Sequence, residues 1–223
     1  MKHRYSGAGV AARAGLAVAV GAALATGAEV ATYPLWRQWC RQWGATAGEA
    51  SQAFPGDDLL ADPQVLTTRA IAIQAPARQI WPWLVQMGPG RGGAYTYDWI
   101  ENLLGLDMHS ADEILPQYQD LKVGDAQHLG RNGPVLRVAV LEAERALVLR
   151  SDDGNWIWAF ALHPDGDGTR LISRNRIAAS ASPIARAVTT YLMEPGSLIM
   201  ERKMLIGIKQ RAEHLAGAAK ISS

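Results

Sequence analysis

The stretch VLRVAVLEAERALVLRSDDGNWIWAFALHPDGDGTRLISRNRIA, Val135–Ala178, decides how this chain folds. Val135–Glu142 and Arg145–Ser151 read as two strands joined by Ala143-Glu144. Asp152-Asp153-Gly154-Asn155 is a hairpin turn, because glycine and small polar residues accept the dihedrals that tight turns demand. In Asn155–His163, Trp156, Trp158, Phe160 and Leu162 fall on one face and Ile157, Ala159 and Ala161 on the other, the period of an extended chain. Pro164–Gly168 turns again. Thr169–Ala178 then sets Leu171, Ser173 and Asn175 against Arg170, Ile172, Arg174 and Arg176. A weaker strand, Asp125–Leu129, precedes the run, followed by the turn Gly130–Gly133. Short strands joined by tight turns pair with their neighbours, so this region is one antiparallel meander.

Working outward, the C-terminal side turns helical. Ser182 is an N-cap with Pro183 in the first turn. The helix is expected to run to Glu194, where Pro195-Gly196 should kink or restart it. Ser197–Leu215 continues without a break, with Met193, Met200, Met204, Ile208 and Leu215 near one stripe. A helix of about 20 residues spans roughly 30 Å, enough to cross a sheet. On the N-terminal side, Thr67–Ala75 alternates as a half-buried strand, Ala70, Ala72 and Gln74 opposing Ile71 and Ile73. Pro76 opens a helix over 77–87. The glycine-rich run Gly88–Gly93 cannot be helical. A second, amphipathic helix follows, with Trp99, Leu103 and Leu106 on one face and Asp98, Glu101 and Asn102 elsewhere. Trp81–Leu106 thus concentrates three of eight tryptophans and two of six tyrosines, as the wall of a pocket or as core filling with polar tips. Ser110 and Glu113 form a capping signature for a further helix.

The 223 residues carry 22 Lys and Arg against 21 Asp and Glu, so neither nucleic acid nor a polyanionic partner is called for. The single cysteine, Cys40, excludes an intramolecular disulfide. Residues 1–36 read as an N-terminal apolar helix. Its uncharged run, Ala14–Ala28, is short for a span of about 20 residues. Snorkelling of Arg13, or extension through Tyr33 with Trp36 as an interfacial aromatic, brings it to length. A membrane anchor is the first reading. A cleaved signal peptide, and so an exported protein, is the second, and an Ala-rich helix on the domain the third. Residues 37–64 are an amphipathic segment and linker. Trp36, Trp39 and Trp43 share a stripe that suits a membrane surface or docks on the domain. Thr46 and Glu49 make a capping box, Pro55–Asp58 is a turn, and the linker is expected to wrap onto the domain without entering its core.

Strand, two helices, antiparallel meander and one long closing helix is the element order of the helix grip. The chain here resembles the START-like superfamily, also labelled SRPBCC, which spans polyketide cyclase and dehydrase types, lipid-transfer START domains and pathogenesis-related allergens. The resemblance covers about 65–217. It extends to a bacterial, membrane-anchored branch through Trp43–Thr46, Pro55–Leu59, Val85–Leu106, His109–Ile114 and Met200–Lys209. It implies an α+β fold, a curved antiparallel sheet wrapped around the long C-terminal helix, with a cavity between them for a lipid or polyketide-like molecule.

Candidate ligand contacts are Trp83, Met87, Tyr95, Tyr97 and Trp99 from the aromatic stretch, Trp156, Trp158 and Phe160 from the strand, and Met200 and Met204 from the helix, methionine adapting to irregular ligands. Arg150 and Arg174 lie on strands. If either points inward it needs a carboxylate, such as Glu201 or Asp98, or an anionic ligand group. A cyclase- or dehydrase-like enzyme would use His109, Tyr97 and Asp98 as acid–base groups, and a third reading is a ligand-free interaction module. No His, Cys and Asp spacing marks a metal site. Gly88–Gly93 follows a helix and not a strand, so it lacks the context of a dinucleotide loop, and no cofactor is expected.

Overall fold

The computed structural model describes residues 32–103, 105–130 and 133–221. The apolar run expected to form an anchor lies outside them. Among the described residues no helix is long and apolar enough to cross a membrane. The chain divides into two compact units, Met1–Gln38 and Trp39–Ser223, and the described strands all belong to the second.

Residues 32–41 are helical (α1), followed by α2 (Ala47–Ser51), β1 (Val65–Ile73), α3 (Ala77–Val85) and α4 (Asp98–Leu103). The meander is β2 (Ala126–His128), β3 (Val135–Glu142), β4 (Ala146–Ser151), β5 (Trp156–Asp165) and β6 (Gly168–Ile177). α5 (Pro183–Val188), a π turn (Thr189–Met193) and α6 (Glu194–Ile221) close the chain. All six strands form one sheet in the order β1-β6-β5-β4-β3-β2, every pair antiparallel. A register shift between Val138 and Val140 marks a bulge, the irregularity that bends a strand and lets a sheet curl. α6 lies on the inner face against β1 and α3. This is the helix grip that the order of elements implies.

The alternation in β5 sorts the two cores as its sequence dictates. Phe160 and Leu162 belong to the inner cluster, with Trp156 and Trp158 packed against it. Ile157, Ala159 and Ala161 belong to a smaller outer cluster with Ala70, Val148 and Ile172. Ser182 caps α5 by accepting from the Ala185 N–H at 3.3 Å. Thr46 and Glu49 form the expected capping box on α2.

Four local expectations are corrected. The segment 37–64 does enter a core: Phe54 is buried in the outer cluster. Residues 43–61 strap the outer face, and Ala70 N–H donates to Trp43 O at 3.1 Å, covering the free edge of β1. β1 is therefore buried on both faces at Thr67, Thr68, Arg69 and Ala70, not half-buried. Within the Trp stripe of this unit, Trp39 is exposed, whereas Trp43 packs against the inner cluster.

Second, Ser110 begins no helix. Its hydroxyl and N–H both bond Asp98, at 2.6 and 2.8 Å, so the residue pins a loop to the start of α4. Third, the C-terminal helix adapts upstream of Pro195 and not at it. Proline has no N–H, and its ring meets the carbonyl four residues back. The chain widens into the π turn just before it, where the Glu194 N–H reaches Thr189 O, and helix resumes at once. Fourth, α4 presents the opposite face from the one its apolar residues suggest. Trp99 and Leu103 are 70% and 80% exposed, and Glu101 is buried.

Candidate functional site

Between the inner face of the sheet and the first half of α6 the side chains leave a cavity of about 500 Å³. Volumes of this order hold small apolar ligands. Its walls are largely apolar. β3 and β5 supply Leu136, Trp156 and Trp158, α6 supplies Met200 and Met204, and the 87–108 region supplies Met87, Leu106 and Met108. The two indoles stack, ring centres 5.8 Å apart and 16° from parallel. Gly88 and Pro89 line one side. Gly88 has φ +133°, and a Cβ there would come within 2.7 Å of Gln127 Oε1, so this wall requires glycine.

One wall carries a buried polar chain. Arg69, on β1, is fully enclosed. It forms an ion pair with Glu201 of α6, and also donates to Cys40 O at 3.1 Å, Ser197 Oγ at 3.1 Å and Glu194 O at 3.5 Å. Asn175 Nδ2 donates to Glu201 Oε2 at 3.3 Å and Asn175 Oδ1 accepts from Trp156 Nε1 at 2.8 Å. Trp158 Nε1 donates to Ser173 Oγ at 3.0 Å. Both indole N–H groups are thereby satisfied and their rings are fixed as wall. Glu194 is held by Arg41 through two bonds of 3.0 and 2.8 Å. Four lining oxygens have no partner: Glu201 Oε1, Thr67 Oγ1, Glu101 Oε2 and Thr96 Oγ1.

Glu101 is 7% exposed. Burial pushes its carboxyl above the ordinary value of 4.5, and the charge of Asp98 adds to that, while the Thr96 hydroxyl beside it pulls the other way. As pH rises past 4.5 the unfolded chain loses this proton while the folded chain still holds it, so the folded state loses stability until its own raised value is passed. Glu101→Gln is therefore expected to unfold at a higher temperature than the parent at pH 7, with the gap closing toward pH 4. Melting curves across that range check it, and a gap that widens on acidification would contradict it.

The sequence candidates separate into three groups. Met87, Trp156, Trp158, Met200 and Met204 line the cavity. Trp83, Tyr95 and Phe160 were expected there but fill the core behind it. Tyr95 packs edge-on to Trp83, centroids 5.9 Å apart, and its hydroxyl donates to Trp83 O at 2.9 Å. The third group stands outside. Tyr97 and Trp99 are exposed, because α4 turns Glu101 inward in their place. Arg150 is exposed. Arg174 is buried on the outer face, where Asp57 and the strap carbonyls take its donors, because β6 alternation puts it opposite Ser173 and Asn175. The inward arginine is Arg69, from a strand read as alternating small apolar residues. Of the acid–base candidates, His109 is 77% exposed beside Asp107, and Asp98 is engaged by Ser110. None of His109, Tyr97 and Asp98 lines the cavity. Sequence reasoning missed Thr67, Thr96, Glu101 and Asn175. Glu201 it named only as the partner of another arginine.

A second concavity of about 550 Å³ lies among the hairpin turns, around Pro76, Glu144, His163 and Asp167. None of its lining side chains carries a buried polar atom without a partner, whereas four of the seven such atoms among the described residues line the inner cavity, which favours that cavity as the site.

No protein-family model matches the chain, and no curated protein matches it by sequence. Among solved structures it is similar to the Aha1 dimer from Colwellia psychrerythraea, with 14% identity and a TM-score of 0.40 over 67% of this chain and 97% of that one. It is similar to XoxI from Bacillus cereus, with 12% identity and a TM-score of 0.43 over 69% and 99%. It is also similar to the Polyketide_cyc-like protein Cgl2372 from Corynebacterium glutamicum, with 16% identity and a TM-score of 0.35 over 65% and 89%. By its own strand order, bent antiparallel sheet and long closing helix, the chain has the START-like helix-grip fold.

Proposed function

We propose that this protein binds a hydrophobic small molecule, a lipid or polyketide-like compound, in the cavity between the sheet and α6. The observation that carries the reading is the volume of about 500 Å³ walled by Trp156, Trp158, Met87, Met200 and Met204. A fold made only for packing would close such a space, since a void forfeits the dispersion contacts of every atom facing it. Two tryptophans and three methionines suit a flat or flexible apolar body better than a rigid polar one.

Filling the space tests this. Met200→Trp combined with Leu106→Trp places two indoles where both present side chains line the cavity. The double variant is expected to lose the apolar compound that organic extraction and mass spectrometry recover from the parent. Its stability should stay within about 1 kcal/mol of the parent or rise, because the bulk enters a void and not a packed core. Extraction of the same compound in equal amount from parent and variant would refute the reading.

A further inference from the structure

We propose that the cavity is built for an apolar ligand that carries hydrogen-bond donors, a hydroxyl or an amine, and against one that ends in an anion. The inference deepens the ligand-binding reading and rests on it.

Two polar stations interrupt the apolar wall, each a glutamate oxygen with a threonine hydroxyl. In the first, Thr67 stands opposite Asn175 in the β1–β6 register, and Asn175 Nδ2 donates to Glu201, so Thr67 Oγ1 and Glu201 Oε1 flank the same asparagine. In the second, Glu101 of α4 has the Thr96 hydroxyl beside it. All four oxygens are buried and none meets a hydrogen-bond partner at ordinary geometry, although the Thr96 hydroxyl lies near enough to act on Glu101; Thr67 is 2%, Glu101 7% and Glu201 6% exposed. Buried polar atoms are nearly always paired, and an unpaired one signals a missing partner. Glu201 Oε1 belongs to the carboxylate ion-paired with Arg69, and a carboxylate only accepts. Its partner must donate. The other three oxygens also take a donor without rearrangement.

The charges point the same way. Among the described residues, the lining includes Glu101, Asp153, Glu194 and Glu201 and neither Lys nor Arg. Arg69 offers nothing to a ligand, being fully enclosed with its donors taken by Cys40, Glu194, Ser197 and Glu201. A carboxylate or phosphate entering here would meet the carboxyl groups of Glu101 and Asp153 and find no lining cation to pair with, because Arg41 and Arg69 are already engaged by Glu194 and Glu201.

Matched probes decide it. The full-length protein is titrated with 1-dodecanol, dodecylamine and dodecanoate at pH 7.5, below their aggregation thresholds. The signal is the change in intrinsic tryptophan fluorescence, to which Trp156 and Trp158 in the cavity wall contribute. The alcohol and the amine are expected to bind at least tenfold more tightly than dodecanoate, the scale of one well-made hydrogen bond to a charged group. Thr67→Val, which removes an oxygen that has no partner, and Glu101→Met, which removes the carboxyl beside Thr96, should each shrink that preference several-fold. Dodecanoate binding as tightly as the alcohol overturns the proposal and leaves the ligand-binding reading standing. No binding by any probe overturns both. A preference unchanged in both variants overturns the assignment to these residues.

Discussion

Glu201→Ala is expected to lower the free energy of unfolding by about 3–5 kcal/mol, the cost of leaving one member of a buried ion pair alone. Arg69 cannot relax toward water: it has no exposed surface, and its strand is covered by α6 on one side and by the 43–61 strap on the other. The guanidinium would keep only neutral acceptors, Cys40 O, Ser197 Oγ and Glu194 O, and Asn175 Nδ2 would lose its acceptor as well. Arg69→Met with Glu201→Leu removes both charges and should recover most of the loss, since apolar replacements of a buried pair are often neutral or stabilising. Urea denaturation of the single and double variants measures both effects. A single variant within 1 kcal/mol of the parent would mean that the pair does not fasten α6 to β1.

The second large effect is expected at Asp57. One carboxylate receives Arg174 Nη1 at 2.7 Å and Arg176 Nη1 at 3.0 Å, and also the Phe54 N–H at 3.0 Å. Arg174 is 2% exposed and Arg176 9%. Burial pulls the Arg174 guanidinium below its usual value, and the charge of Asp57 opposes this. Asp57→Ala strands both cations between the sheet and the strap and should cost about 3 kcal/mol or more. Because Phe54 lies in the same strap with the Arg174 guanidinium 4.6 Å over its ring, the loss should appear locally first. Limited proteolysis is expected to cut Asp57→Ala between residues 45 and 62 well before the parent. Asp57→Asn keeps an acceptor and should fall between the two. Equal cleavage of all three would show that the strap is held by Phe54 alone.

Much of the architecture was legible in short-range pattern. Period-two alternation in Trp156–Leu162 assigned each side chain to the correct face, because a strand's faces are set by covalent geometry. Thr46 with Glu49 and Ser182 with Pro183 located helix starts through bonds that close within four residues. The site was less legible. In α4 the pattern favoured Trp99 and Leu103 for burial, yet Glu101 is the residue turned inward. A six-residue helix has too few positions for periodicity to outvote what packs against it. Ser110 offered a capping signature that a distant carboxylate, Asp98, claimed instead.

What this chain determined by itself is its inventory of strands, turns and caps, and with them the antiparallel meander and its closing helix. Those features depend on backbone dihedrals and on contacts a few residues away. Only the tertiary structure decided which charges go inside. Arg69 meets Glu201 across 132 positions of sequence, and Arg174 meets Asp57 across 117. Whether a polar side chain is buried depends on a partner and a covering layer brought from elsewhere, and local periodicity holds no record of either.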